Sequence, residues 1–213
     1  MSSAYSAVPA GALFFRGPAI GDLDEIYAIE AASYPEDEAA TREKLEYRIR
    51  NAPEVFLVCI SSGGDASGSS GGGGDAAGGA NGAGRAAAQD EIVGYACGTC
   101  SGAAALTHES MSTHQPGGRL LCIHSVAIAA PHRRRGVASR LLAAYVQYAA
   151  AGAPGLEEAR LLCKEDLVPL YARAGFSLLG PSPVVHGRDQ WMEMARPLGA
   201  AAAAGAAAGG AAP

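Results

Sequence analysis

The chain lacks a surplus of positive charge: 16 Lys and Arg stand against 21 Asp and Glu in 213 residues, a formal net charge of −5. A protein that neutralises a run of phosphates needs the opposite balance, which argues against nucleic acid as a partner. Long apolar runs are also missing, and nothing approaches a membrane span, so no membrane partner is expected. Zinc-site spacing is confined to one pair, Cys97-x-x-Cys100, with no second pair and no neighbouring His in sequence. That pair reads as core cysteine, and no metal is expected. Five cysteines, an odd number, with no apolar leader segment, fit a reduced compartment, and the cytoplasm is the expected location. Side chains able to form a core are scarce in two tracts, 61–90 and 199–213, which are almost wholly Gly, Ala and Ser. Neither buries enough surface to offset ordering entropy. The expectation is a lead-in over 1–12, a single domain over 13–198 carrying a flexible 61–90 insert, and a disordered tail over 199–213.

What is present centres on Leu120 to Tyr148, LLCIHSVAIAAPHRRRGVASRLLAAYVQY. Its first nine residues, apolar with polar residues between, read as a strand. Pro131 ends that strand, since it has no N–H to give to a ladder. Arg133-x-x-Gly136-x-Ala138 follows, and then a helical stripe of Val137, Leu141, Leu142, Tyr145 and Val146. The first N–H groups of a helix have no internal partner and sit at the positive end of its dipole. A basic, glycine-containing turn at that point suits a pyrophosphate. It equally fits a solvated surface corner. No Gly-Lys-Ser/Thr follows, so it is not a P-loop, nor is it a G-x-G-x-x-G dinucleotide turn.

The other elements frame that centre. Leu13–Arg16 is a short strand, and a helix capped by Gly21-Asp22 buries Leu23, Ile26, Tyr27 and Ile29. A break falls at Ser33-Tyr34-Pro35. The next helix starts at Glu36 to Glu38 and carries Leu45 and Ile49. Val55–Ile60 and Glu91–Thr99 are strands flanking the insert, whose closure cost grows only logarithmically with length. Leu106–Met111 reads as a helical or irregular surface segment. Past the central helix come strand Ala159–Cys163 and a helix Leu167–Ala174 capped by Asp166 and closed by Gly175. Two strands, Phe176–Leu179 and Gln190–Met194, complete the chain. The order β-α-α-β-β-β-α-β-α-β-β is an α/β layered fold on a mixed, mostly antiparallel sheet of about seven strands.

The Arg133 turn matches the R/Q-x-x-G-x-G/A signature of acetyl-CoA sites, and the element order resembles the GNAT acetyltransferase fold across 13–198. More specific stretches resemble the arylalkylamine (serotonin) N-acetyltransferases. These are Leu106-Thr-His-Glu-Ser-Met-Ser-Thr-His114, His124-Ser-Val-Ala-Ile128, Asp166-Leu-Val-Pro-Leu-Tyr171-x-x-x-Gly175-Phe176, Gly180-Pro181 and Val184-Val185-His186-Gly187. Glu30-Ala-Ala-Ser-Tyr-Pro35 is similar to the non-animal members.

The resemblance implies acetyl-CoA as co-substrate and acetylation of a small-molecule amine such as serotonin or tryptamine by a monomer. It implies that the backbone of Val126, Ala127 and Ile128 binds the pantetheine arm. The pyrophosphate would lie in the turn formed by Arg133, Arg134, Arg135, Gly136, Val137, Ala138 and Ser139. His124 would be the general base and Tyr171 the proton donor to the departing thiolate, with Pro35, Leu162 and Trp191 lining the acceptor pocket. The family pairs two histidines on the central strand; here the first position is Cys122. Residues 122 and 124 share a strand face and are expected to meet the same cleft.

Other readings stand beside these. A histidine in a strand is often structural, Tyr171 could be a core aromatic, and Trp191 is either core or pocket wall. His108, His114, His132 and His186 read as surface or loop residues. A polyamine or protein amine could replace the arylalkylamine, with Glu36, Asp37 and Glu38 as the acids such a site needs. A CoA-binding sensor without turnover gains from the missing histidine at 122.

Overall fold

A computed structural model describes residues 12–62, 90–107, 109–184 and 190–198. Residues 1–11 of the lead-in, most of the 61–90 insert, the tail, His108 and His186 lie outside the described residues.

Seven strands form one sheet: β1 (Leu13–Arg16), β2 (Phe56–Ser61), β3 (Glu91–Ser101), β4 (Leu120–Ile128), β5 (Glu158–Cys163), β6 (Ser177–Pro181) and β7 (Met192–Pro197). Their order across the sheet is β1-β2-β3-β4-β5-β7-β6. β4 and β5 run parallel and every other neighbouring pair antiparallel. Helices α1 (Leu23–Ala31) and α2 (Arg42–Asn51) cover one face; α3 (Val137–Gly152) and α4 (Val168–Arg173) cover the other. The fold class and element order are those the sequence predicts.

Apolar alternation explains the two layers. On β2, Phe56, Val58 and Ile60 join Leu23, Ile26 and Leu45 under α1 and α2, while Leu57 and Cys59 join Leu141, Leu142 and Tyr145 under α3. A strand buried on both faces reads as an unbroken apolar run, as this one does. All five predicted stripe residues of α3 are buried.

Several local expectations are corrected. Tyr27 is exposed, and Glu30 takes the buried place on α1 instead. Glu36 to Glu38 do not begin a helix. The Ala40 N–H goes to the Glu30 carboxylate rather than to a helical carbonyl, and α2 begins at Arg42 behind a Thr41 cap whose Oγ1 accepts from the Lys44 N–H. Val55 belongs to a 3-10 turn over Pro53–Val55, and Ser61, counted with the insert, is the last residue of β2. Asp166 does not cap α4; it sits within a 3-10 turn, Glu165–Leu167, and gives no side-chain cap. β6 and β7 begin later than predicted, at Ser177 and Met192. The Leu106–Met111 segment is no surface strip: Leu106 packs with Leu120 and Cys122, and Ser110 is buried.

Candidate active site

The site begins with a flaw in β4. Cys97 pairs with Ser125 and the next residue, Gly98, with Ile123, which leaves His124 as an extra residue on β4. Gly98 permits this close approach, because an added Cβ would lie 2.6 Å from the Cys122 carbonyl oxygen and 2.7 Å from the Tyr145 hydroxyl. Such a bulge interrupts alternation. Before it, Leu121 and Ile123 face α3; beyond it, Val126 and Ile128 pack on that side, and Ser125 and Ala127 face α1 and α2. On the opposite edge, β4 pairs with β5 only from Leu120 to Ile123. The two parallel strands then part.

A cleft of about 320 Å³ fills the gap, and its walls include Pro35, His124, Val126, Leu162, Tyr171 and Trp191. The structure thus brings these residues together from five places in the sequence. Cys122 is the exception. It is fully buried in the small cluster with Leu106 and Leu120, absent from the cleft walls, and burial pushes its thiol up to about 11. A thiol held there is no base, so residues 122 and 124 share a face without sharing the cleft.

Electrostatics set the character of the walls. His124 Nε2 lies 2.8 Å from Thr99 Oγ1. Its pKa is pushed well below the usual 6.5, by burial first and then by the positive charges of Arg48 and Lys44 on α2. Glu30 also lines the cleft, but its carboxylate is occupied: Oε1 accepts from the Ala40 N–H at 2.8 Å and from Ser125 Oγ at 3.1 Å, and Oε2 accepts from Tyr95 at 2.5 Å. Of the three acids considered for a polyamine, Glu36 and Asp37 are exposed and outside the walls, and Glu38 is paired with Lys164. The Lys164 ammonium in turn lies 4.2 Å from the centre of the Trp191 ring. Tyr171, edge-on to Phe176, is buried, and burial raises its phenol above the ordinary 10.

The basic turn lies beyond the Ser33 end of the cleft. Gly136 caps α3 at φ 76°, with nothing within 4 Å of the place a Cβ would occupy. Arg134 is also left-handed, at φ 62°. The first helical bond here is Arg140 N–H to the Gly136 carbonyl, so the N–H groups of Val137, Ala138 and Ser139 precede any helical acceptor. Arg134 and Arg135 are exposed beside them. An open glycine, free N–H groups and two guanidinia fit a pyrophosphate. Arg133 differs, spending Nε on the Ile128 carbonyl at 2.8 Å and one Nη on Ser33 Oγ at 2.9 Å, which ties the end of β4 to the end of α1.

The acetyltransferase (GNAT) family model matches residues 23–176, most of the chain. The chain belongs to the GNAT acetyltransferase family. Serotonin N-acetyltransferase from Mesocricetus auratus is 33% identical over 106 residues, 50% of this chain and 51% of that protein. The Macaca mulatta serotonin N-acetyltransferase is 30% identical over 103 residues, covering 48% and 50%. The chain spans about half the length of the curated relatives it matches. Among solved structures, the loading GNATL domain of CurA from Lyngbya majuscula superposes with a TM-score of 0.63 at 16% identity, covering 87% of this chain and 98% of that one. That likeness is one of fold.

One further cluster in this GNAT chain corrects the reading of His114 as a surface residue, while Cys100 is the core cysteine expected. His114 is buried and lies beside Cys100 in space, with Glu54 completing a group whose ligand atoms lie within 4.8 Å of one another. The Cys100 N–H donates to His114 Nδ1 at 3.1 Å, so the neutral ring keeps its proton on Nε2, 3.0 Å from Glu54 Oε1 but poorly aligned for a hydrogen bond. Nδ1 is thereby committed, Nε2 is buried without a hydrogen-bond partner, and the Cys100 thiol is pushed up to about 12 by burial. The bond from Cys100 to His114 braces β3 against the segment that leads into β4. All five cysteines are free and buried. No helix among the described residues is long and apolar enough to cross a membrane.

Sequence reasoning passed over two residues of the cleft walls, Glu30 and Arg48, and Thr99, which contacts His124 from outside those walls. Glu30 falls four positions after Ile26, so an acid on the apolar stripe of α1 was the available signal. Arg48 stands likewise one residue from Ile49 on α2. Thr99 gives no such signal, since its contact with His124 depends on the bulge.

Proposed function

We propose that the chain transfers the acetyl group of acetyl-CoA to the primary amine of a small arylalkylamine. One observation carries this reading: a single cleft at the parting of β4 and β5 holds a low-pKa histidine, a protonated tyrosine and the apolar groups Pro35, Leu162 and Trp191. The relatives named serotonin N-acetyltransferase support the acceptor class.

Acetyl-CoA supplies a reactive thioester, and the chain's residues do the rest. The turn of Arg134, Arg135, Gly136, Val137, Ala138 and Ser139 would hold the pyrophosphate, and the backbone of Val126 to Ile128 the pantetheine. An alkylammonium near pKa 10 must lose a proton before it attacks. His124 is neutral at pH 7 and can take that proton. The amine nitrogen then bonds to the thioester carbon and the C–S bond breaks. Two protons leave the ammonium in all, one ending on CoA sulfur and one in solvent. The Tyr171 phenol, harder to ionise than usual, donates a hydrogen bond to the departing sulfur rather than surrendering its proton, because a thiolate is the weaker base. The Val126 N–H is the backbone donor on the open edge of β4 that can polarise the thioester carbonyl.

The cations Lys44 and Arg48 and the paired state of Glu38 disfavour a polyamine, whose extra charges would have no free carboxylate in the walls. A thiol-release assay with acetyl-CoA tests the proposal against tryptamine, serotonin, phenethylamine, spermidine and a lysine peptide. Turnover of the aromatic amines ahead of the other two is expected. Thiol release with none of them would leave a CoA-binding protein without this activity.

A further inference from the structure

We infer that Thr99 and the Ser110 carbonyl lock His124 in the tautomer protonated on Nε2, making Nδ1 the nitrogen that receives the acceptor's proton. For the reaction, this rests on the acetyl-transfer reading above; for the tautomer, it rests on hydrogen-bond geometry alone.

Thr99 Oγ1 lies 3.0 Å from the Ser110 carbonyl oxygen and 2.8 Å from His124 Nε2. Thr99 and Ser110 are 1% and 3% exposed, so water does not compete for these bonds. A carbonyl oxygen only accepts, and a hydroxyl has one proton. That proton therefore goes to Ser110. Toward the ring, Oγ1 is left as an acceptor, and Nε2 must carry the N–H. A neutral imidazole has one N–H, so its lone pair is on Nδ1. Among the described residues no hydrogen bond takes Nδ1, while the ring itself lines the cleft.

The carbonyl that starts this chain is firmly held. Thr107 N–H donates to Ser110 Oγ at 2.8 Å, Ser110 N–H to Thr107 Oγ1 at 3.0 Å, and Ser110 Oγ to the Thr107 carbonyl at 3.0 Å. Leu106 anchors the loop in the cluster with Leu120 and Cys122. The Leu106–Met111 stretch thus presents one fixed acceptor to β3. Thr99 is a positioning residue: it touches no reacting atom and acts through His124.

Once Nδ1 takes a proton, the Nε2–H remains bonded to Thr99, so the ring need not turn between its two states. The other ionisable groups in these walls are Glu30 and Tyr34 from the α1 side, Glu38 from the segment before α2, Lys44 and Arg48 from α2, and Cys163, Lys164 and Tyr171 from the β5–α4 side. Of these, Arg48 and Lys44 oppose the charged ring.

Nitrogen-15 NMR of histidine-labelled protein reads the tautomer directly, with His124→Gln assigning the signal. The parent should show Nε2 protonated and Nδ1 bare. Thr99→Val should mix the tautomers and lower kcat/KM for tryptamine by at least ~10-fold, within the ~10²–10⁴-fold that a general base supplies. That loss should shrink as pH rises and the amine deprotonates unaided, and Thr99→Ser should restore both readouts. A proton on Nδ1 in the parent would overturn the inference, whatever the variants do. So would a folded Thr99→Val protein with the parent's pH–rate profile. The NMR measurement needs no acceptor. An Nε2–H signal in a chain that acetylates no arylalkylamine would therefore defeat the proposed acceptor and uphold the tautomer.

Discussion

Tyr34 sets its hydroxyl 3.3 Å from both the amide nitrogen and the carbonyl oxygen of Val126. Beyond Ile123, β4 has no partner in β5, so these two backbone groups would otherwise face the cleft. The same tyrosine lies in the Ser33-Tyr34-Pro35 break after α1, where the chain turns over the opening. A thioester that uses the Val126 N–H must displace this hydroxyl. Tyr34→Phe should therefore tighten acetyl-CoA binding by roughly 5-fold, since two long hydrogen bonds, each at the weak end of ~0.5–1.5 kcal/mol net, sum to about 1 kcal/mol. Titration calorimetry checks this; weaker binding in the variant would show that the hydroxyl helps to hold the thioester.

Gly136 offers a test of the anion turn in which crowding is not the issue. Space around its Cβ position is open, but φ is 76°, a conformation that costs an L-residue roughly 1–2 kcal/mol. Gly136→Ala should lose about that much stability and bind acetyl-CoA moderately less well. Gly136→Asp adds a negative charge at the helix N-terminus and should abolish binding in a folded protein. Calorimetry on both variants, with circular dichroism to confirm folding, separates strain from charge. Equal affinity in Gly136→Asp and the parent would put the pyrophosphate elsewhere.

His124 makes a prediction for pH with a definite sign. Its folded pKa lies well below the unfolded 6.5, so between those two values the unfolded chain binds the extra proton. The stability at stake is fully present above about 6.5 and is lost as pH falls below it. His124→Gln should flatten that part of the stability–pH curve. In kinetics, the same depression keeps the base neutral through the physiological range, so kcat/KM should rise with pH as free amine appears. The variant should lose ~10²–10⁴-fold near neutrality and less at high pH. An unchanged pH–rate profile would assign the proton transfer to other groups.

How much of this was open to sequence reasoning depends on whether a feature is local. The central strand, the α3 stripe and the Arg133–Gly136 turn are local patterns and were legible. The start of α2 was not, because a long-range bond from Glu30 takes the Ala40 N–H. Period-two alternation correctly placed 122 and 124 on one face, but no periodicity reveals that β5 leaves β4 just past Ile123, or that Gly98 admits a bulge. For that reason Cys122 was expected in the cleft and is not there, and Thr99 was not seen beside His124.

Trp191, expected on the acceptor-pocket wall, has a position that supports a definite prediction. It precedes β7, is 8% exposed, lines the cleft and carries Lys164 over its ring. Lys164 is itself held by Glu38, so the indole is backed by an ion pair and presents a fixed apolar wall. An aromatic ethylamine resting on that wall gains burial in both ground and transition states. Trp191→Ala should then raise KM for tryptamine more than it lowers kcat, the mark of lost uniform binding. Selectivity among aromatic amines should be slight, since one methylene in an apolar pocket is worth only ~1–3 kcal/mol. Spermidine should remain poor in the parent, because its second and third charges would meet Lys44, Arg48 and Lys164 rather than a free carboxylate. Steady-state kinetics with tryptamine, phenethylamine and spermidine on both proteins decide the matter. A larger fall in kcat than rise in KM would move Trp191 from the binding wall to the reacting centre, and spermidine turning over fastest would retain the acetyltransferase while removing the arylalkylamine.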